Sequence, residues 1–324
     1  MSVAPDKEPA PPADNLIQPF QIERHGLRGR LVRLGSVADQ VLKRHGYPAP
    51  VAVMLGETLA LAATLAGALK FDGVFTLQTK GNGPIGLMVA DMTSEGQLRG
   101  YAQFDAGRLK EAMTKAPESG LGNSVPHLLG AGHLAFTIDQ GPDTDRTQGI
   151  VELNGATLAD CIHHYFRQSE QIDAAIKVAI GQGPHGGGEV AWRAGAMMIQ
   201  RLPEDRRRGG PRPTGKDKDD DDDGWREAVV LMGSATAAEL TDENLKPDRL
   251  LYRLFHDPGV RVYRPVALDA GCQCSRQRVA NMLRTFPEDE IKQLMVDGEV
   301  VVTCEFCGSR RGFNLARIRE LYAG

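Results

Sequence analysis

From about Phe20 to Leu202, apolar residues recur along the chain in two different periods. In "GRLVRLG", "GVFTLQTKGNGPIGLMVAD", "QLRGYAQFD", "HLAFTID" and "GIVEL" they alternate with polar residues or form short blocks between turn residues, which predicts strands. "SVADQVLKRHG" predicts a helix opened by Ser36 and closed by Gly46. A longer apolar helix follows Pro50, and another is predicted over "TLADCIHHYFRQSEQ". A last strand pair near "AAIKVAIG" and "EVAWRAGAMMIQRL" would complete a sheet packed against helices. Hairpin-length gaps between strands are too short for crossover helices, so the expected fold is α+β with adjacent antiparallel strands over 20–202.

The pattern then breaks. Residues 203–224, "PEDRRRGGPRPTGKDKDDDDDG", contain no apolar side chain to offset the ordering of the backbone, and a disordered charged insertion is expected. The Pro/Ala-rich residues 1–19 are likewise expected to be a disordered tail. From 225 to 269, "WREAVVLMGSATAAEL" and "PDRLLYRLFHD" are apolar at helical spacing, with Leu250, Leu251, Leu254 and Phe255 on one face. Helices around 225–240 and 247–255 are too short to persist alone, so this metastable helical linker must lie on the sheet domain. Residues 270–324 form a small C-terminal α+β unit. Ser275 is placed to cap a helix through Leu283, Thr285 and Glu288 have capping-box spacing, "DGEVVV" turns into a strand, and Asn314 is placed to cap a last helix.

Length and composition admit about two domains with a substantial core, at 324 residues and 41% hydrophobic. A net charge of −4 points to neither nucleic acid nor an anionic membrane. The segment "VAVMLGETLALAATLAGAL" passes a length test for a membrane span, but Glu57 lies within it, which predicts a buried core helix. With no secretory or transit pattern at the N-terminus, the expected compartment is the cytoplasm. Thiols stay reduced there, so paired cysteines are read as metal-binding or catalytic before structural disulfides.

Four of the five cysteines are paired: "DAGCQCSRQRV" and "TCEFCGSRRGF" place Cys272, Cys274, Cys304 and Cys307 as C-x-C and C-x-x-C, with 29 residues between. Four thiolates are the ligand set of a closed tetrahedral Zn²⁺ site, so one zinc per reduced chain is expected. Gly308 after the second pair permits a turn of positive φ that aims backbone N–H groups at sulfur. Without a histidine or an open position, the site does not suit hydrolytic chemistry. Arg276, Arg278, Arg310 and Arg311 lie close in sequence and would favour thiolate.

Other chemistry is weak. Cys161 shares a predicted helix face with Leu158 and Tyr165 and reads as a small buried apolar residue, while His163 and His164 are not at ligand spacing. "KGNGPIG" lacks the Lys-Ser/Thr and the helix of a phosphate loop and reads as a hairpin turn. No catalytic set stands out, and the chain is read as a non-enzyme.

Taken with "PAPVAVMLGE", "LKFDGVFTLQTKGNGP", "RTQGIVEL", "YFRQSEQ" and "LLYRLFHD" in that order, the "CQCSRQRV" and "CEFCG…FN" motifs resemble the 33 kDa heat-shock chaperone family, the redox-regulated holdases of bacteria. The likeness runs from Phe20 nearly to the end, departing at the tail and at 203–224. It implies an ATP-independent chaperone that is inactive when reduced and zinc-bound. It also implies oxidation of the ligands to the disulfides Cys272–Cys274 and Cys304–Cys307, zinc release, unfolding of the linker and binding of unfolding client proteins, often as a homodimer. A bridge across C-x-C would close a very small ring and be easily reduced.

A zinc-ribbon nucleic-acid-binding protein is the alternative from another class. It would want a basic module, whereas Ala270–Gly324 carries eight Lys/Arg and seven Asp/Glu. A thiol–disulfide oxidoreductase using "CEFC" would want a βαβ setting that the pattern does not supply.

Overall fold

The computed structural model describes residues 14–115, 124–141, 144–167, 172–185, 189–201 and 215–323. The chain opens with β1 (Leu16–Ile22), β2 (Leu27–Leu34), α1 (Ser36–Lys43) and α2 (Ala49–Ala66). It continues through β3 (Val74–Gly81), β4 (Ile85–Thr93), β5 (Gln97–Phe104), α3 (Ala106–Thr114), α4 (Val125–Leu128), β6 (Gly132–Asp139) and β7 (Thr147–Glu152). Then come α5 (Leu158–Tyr165), β8 (Ala174–His185), β9 (Glu189–Arg201), α6 (Gly215–Gly233), α7 (Ala237–Thr241) and α8 (Pro247–Phe255). Three short strands follow: β10 (Val260–Val262), β11 (Val266–Ala267) and β12 (Asp269–Ala270). The last unit is α9 (Arg276–Leu283), α10 (Glu288–Gln293), β13 (Glu299–Thr303), β14 (Arg310–Asn314) and α11 (Leu315–Ala323).

The fold is α+β, with two six-stranded sheets where one was expected. The first has the order β10-β1-β2-β9-β8, with β11 also on β1; the second runs β12-β5-β4-β3-β6-β7. Periodicity identified β2 to β9 but could not show that β8 and β9, after a long excursion, return to β2 rather than extend the second sheet. Apolar α2 packs against strands of both sheets. It is long and apolar enough to cross a membrane, but 78% of it is buried inside the protein, as a core helix.

Local expectations meet several corrections. β1 begins at Leu16, inside the segment read as tail; Pro19 interrupts the pattern there but lies on the side of β1 turned away from β2, described below. Residues 1–13 and 202–214 lie outside the described residues, while the other half of the charged insertion belongs to α6, which begins at Gly215 rather than at Trp225. No proline falls between Gly215 and Gly233, so the apolar turns after Trp225 propagate a helix backward. Ser36 is not the N-cap of α1: Asn15, at φ 53°, accepts from Gly35 N–H (2.9 Å) and Val37 N–H (3.0 Å). Thr285 donates to the Met282 carbonyl instead of capping α10. Ser275 and Asn314 do cap, accepting from Arg278 N–H (3.0 Å) and Arg317 N–H (2.9 Å).

The first sheet buries both faces. One face joins α1 and α2 in the main core through Val32, Leu34, Ala196 and Met198. The other carries Phe20, Ile22, Leu31, Met197 and Ile199, and on it lie Ala228 and Met232 of α6, Leu240 of α7 and Leu250, Leu251, Leu254 and Phe255 of α8. Phe20 and Phe255 stack at 5.7 Å. The linker helices thus cover an apolar sheet face that would otherwise be exposed. Gly195 lets α7 approach closely, since a Cβ there would stand 2.3 Å from the Leu240 carbonyl oxygen. Two buried arginines pin the end of α7: Arg33 donates to the carbonyls of Glu239 (2.8 Å) and Asp242, and Arg193 to that of Thr241 (2.5 Å). They complement the negative end of the helix.

Candidate metal centre

The four paired cysteines come together at the junction between the linker and the last unit. β12 pairs parallel with β5, Gly271 N–H donates to the Leu98 carbonyl (3.1 Å), and the chain enters Cys272 directly from this edge. β13 and β14 pair antiparallel and deliver Cys304 and Cys307 on the turn between them. In that turn Gly308 has φ 66°, Gly308 N–H donates to the Cys304 carbonyl (2.8 Å), and Cys304 N–H donates to the Ser309 carbonyl (3.0 Å). The N–H groups of Phe306 and Cys307 point at the Cys304 sulfur. The turn expected from the sequence is therefore present.

All four sulfurs lie within 4.8 Å of one another. Cys272 Sγ is 3.7 Å from Cys304 Sγ, and Cys274 Sγ is 3.2 Å from Cys307 Sγ. Zinc–sulfur bonds of ~2.3 Å in a tetrahedron place sulfurs roughly 3.8 Å apart, so the donor set and its spacing fit a closed site. All five cysteines are free thiols here.

The thiols of Cys274, Cys304 and Cys307 differ. Burial, then hydrogen bonding with Cys307, pushes the Cys274 thiol up to about 12, and burial raises that of Cys304. Burial acts upward on Cys307 too, but the Ser309 side chain and backbone outweigh it and hold that thiol at about 6.

A family model described as Hsp33 protein matches residues 15–314. The chain belongs to the Hsp33 family. Among its curated relatives, the 33 kDa chaperonin of Caulobacter vibrioides is 39% identical over 295 residues, covering 91% of this chain and 93% of that one. That of Azotobacter vinelandii is 38% identical over 310 residues, covering 95% and 94%. The crystal structure of the 33 kDa chaperonin (heat shock protein 33 homolog) from Thermotoga maritima superposes with a TM-score of 0.72 at 24% identity, over 95% of this chain and 98% of that one, a likeness of fold. The coarse function that the family supports is that of a chaperone.

In this Hsp33-family chain the arginines flanking the cysteines are not equivalent. Arg311 approaches the Cys274 sulfur (3.8 Å), but Arg276 donates to the Gly312 carbonyl (3.0 Å) and Arg278 to Gln273 (2.8 Å). The arginine that sequence reasoning missed is Arg99 on β5, 3.8 Å from Cys272 Sγ. It is paired with Asp91 at 2.5 Å and lies over the Phe306 ring at 4.0 Å. Against burial, which acts downward, Asp91 and then Cys272 raise its pKa and keep it charged. Phe306, between the two cysteines of C-x-x-C, also meets Tyr101 at 6.3 Å, and its carbonyl lies 3.2 Å from His45 Nε2. The metal candidate is thus docked on the second sheet. "QLRGYAQFD" reads as an ordinary strand, and only the fold brings it to the cysteines.

Cys161 lies in α5, fully buried, with its thiol pushed up to about 11 chiefly by burial. It takes no part in the cluster. Phe286 of the last unit is 44% exposed.

Proposed function

We propose that the protein is a redox-regulated, ATP-independent holdase of the cytoplasm, held inactive by one zinc ion on Cys272, Cys274, Cys304 and Cys307. The observation that carries this reading is the continuity between the sulfur cluster and the linker: Cys272 follows β12 directly, and the same linker covers the apolar face of the first sheet. Among the described residues, the buried core of the last unit is Ala280, Leu283, Ile291, Val300, Phe313 and Ile318. A unit that small needs a staple, and zinc–thiolate binding is worth ~10–16 kcal/mol in small modules.

Activation is thiol chemistry. The thiolates of Cys272 with Cys274, and of Cys304 with Cys307, give up two electrons per pair to form a disulfide, while one hydrogen peroxide per pair takes up those electrons and two protons from solvent to become two waters. No thiolate then remains to hold the metal, and the last unit loses its staple. With that anchor gone, α6, α7 and α8 leave the sheet, exposing apolar surface to unfolding proteins. The experiment is zinc analysis and thiol counting before and after peroxide, alongside light scattering of an unfolding client. Activity gained without loss of zinc or thiols would reject the reading.

A further inference from the structure

The linker covers an edge of the first sheet as well as a face. β10 and β11 pair antiparallel with β1 in the register Phe20↔Val262 and Ile17↔Val266. Tyr263 N–H donates to the Pro19 carbonyl (3.0 Å), Leu268 N–H to that of Asn15 (2.7 Å), and Glu23 N–H to that of Gly259 (2.9 Å). These groups, on β1 and the residue flanking each of its ends, all belong to odd-numbered residues, so the odd set faces the linker while the even set faces β2. Pro19 belongs to the odd set, where a missing N–H costs no bond to β2.

This cover is thin. Val262, Tyr263 and Val266 are 43%, 46% and 44% exposed, so the middle of the cover adds little apolar burial to its backbone hydrogen bonds, while Val260 and Leu268 at its ends pack on the two cores. It also hangs between α8 and β12, and so depends on the same anchors as the helices. The strand beneath is different: Leu16, Ile17, Phe20 and Ile22 are at most 1% exposed. Once uncovered, β1 is a rigid strand with unpaired backbone groups along one side, beside the apolar face that the helices vacate. What now occupies the edge is an extended stretch of mixed side chains, "VRVYRPVA", held through its main chain.

We propose that β1, uncovered when the linker leaves, captures an extended segment of an unfolding client by antiparallel strand addition. This rests on the holdase reading above and adds where and how the client is held. Main-chain pairing selects for an extended, unpaired backbone and not for a side-chain sequence. A folded protein offers few such segments, whereas an unfolding one offers many.

The test uses the full oxidised chain and a fluorescent, Lys-flanked peptide of alternating Val and Thr. A second peptide has the same side chains but N-methylated amides on both edges, which removes strand pairing. The expected result is at least tenfold weaker binding of the methylated peptide. Gln21→Pro, which removes an N–H facing the linker edge and none facing β2, is expected to weaken the unmodified peptide by a similar factor. Mere loosening of the linker would instead leave binding equal or stronger. Equal affinity for the two peptides, or no effect of Gln21→Pro, overturns the inference while the holdase reading stands. So does suppression of client aggregation without peptide binding, or a tight oxidised dimer by sedimentation that excludes the peptide, since a second copy would then own the edge. Failure of the oxidised wild type to suppress aggregation rejects the holdase reading itself, and this inference with it.

Discussion

Leu254→Asp isolates linker release from thiol chemistry. Leu254 is 3% exposed and packs with Leu250, Leu251 and Phe255 in the cluster between α8 and the first sheet. Four such side chains contribute roughly 6–12 kcal/mol gross, at ~1.5–3 kcal/mol each. Removing a buried leucine costs about 2–5 kcal/mol. Burying an unpaired carboxylate in its place costs several more, on the order of 3–5 kcal/mol. The sum rivals the whole apolar contribution of α8, so α8 should leave the sheet although no cysteine is altered. The assay is light scattering of a thermally unfolding client under reducing conditions, with zinc content measured on the same sample. Suppression of aggregation with zinc still bound is expected. Leu254→Ala, which carries only the first cost, should give a weaker effect in the same direction. If limited proteolysis shows cleavage within 225–269 while the reduced, zinc-bound variant stays inactive, linker release is not the activating step.

Replacing any one of Cys272, Cys274, Cys304 or Cys307 by Ser should abolish stable zinc binding, whereas Cys161→Ser should retain it; metal analysis after gel filtration checks both. Peptide mapping of the oxidised protein should find Cys272–Cys274 and Cys304–Cys307. The mapping is a sharp test because the close contacts here run between the motifs, at 3.7 and 3.2 Å, and bridges along those contacts would contradict the proposed pairing. Glu57 in α2 has its carboxyl pushed up to about 7 by burial, so its neutral form is favoured in the folded state. Stability from this group is complete below pH ~4.5 and lost as pH rises through 7, by about 3 kcal/mol in all at ~1.4 kcal/mol per pH unit. Urea denaturation should therefore show Glu57→Gln gaining on the wild type at pH 8 and not at pH 4; an equal difference at both would refute the assignment.

The gathering of the four cysteines was legible because a donor set of this kind is written in local spacing. C-x-C, C-x-x-C and the glycine after them specify a turn and four sulfurs with little help from the rest of the chain. The linker helices were legible too, since Leu250, Leu251, Leu254 and Phe255 mark one face and all four are buried. What stayed hidden depends on contacts between distant residues. "VRVYRPVALDA" is too short and too interrupted by proline to announce strands, yet it edges both sheets. Arg99 looks like any polar residue of a half-buried strand until the fold places it beside Cys272, 173 residues later. Arg33 and Arg193 similarly sit among apolar strand residues, and nothing local says that their partners are carbonyls at the end of α7. Asn15 was read as tail because a cap supplied from 20 residues away leaves no capping signal at Ser36.

The central claim is that the state of four thiols controls a surface far from them in sequence. Its most direct test is a peroxide titration of the zinc-loaded, reduced protein, following free thiols, released zinc and suppression of client aggregation in the same samples. The account predicts that four thiols and one zinc are lost together, that activity rises with them, and that a thiol reductant with zinc reverses all three. Full aggregation suppression by protein that retains its zinc and its thiols, or complete zinc release without any gain in activity, would contradict it.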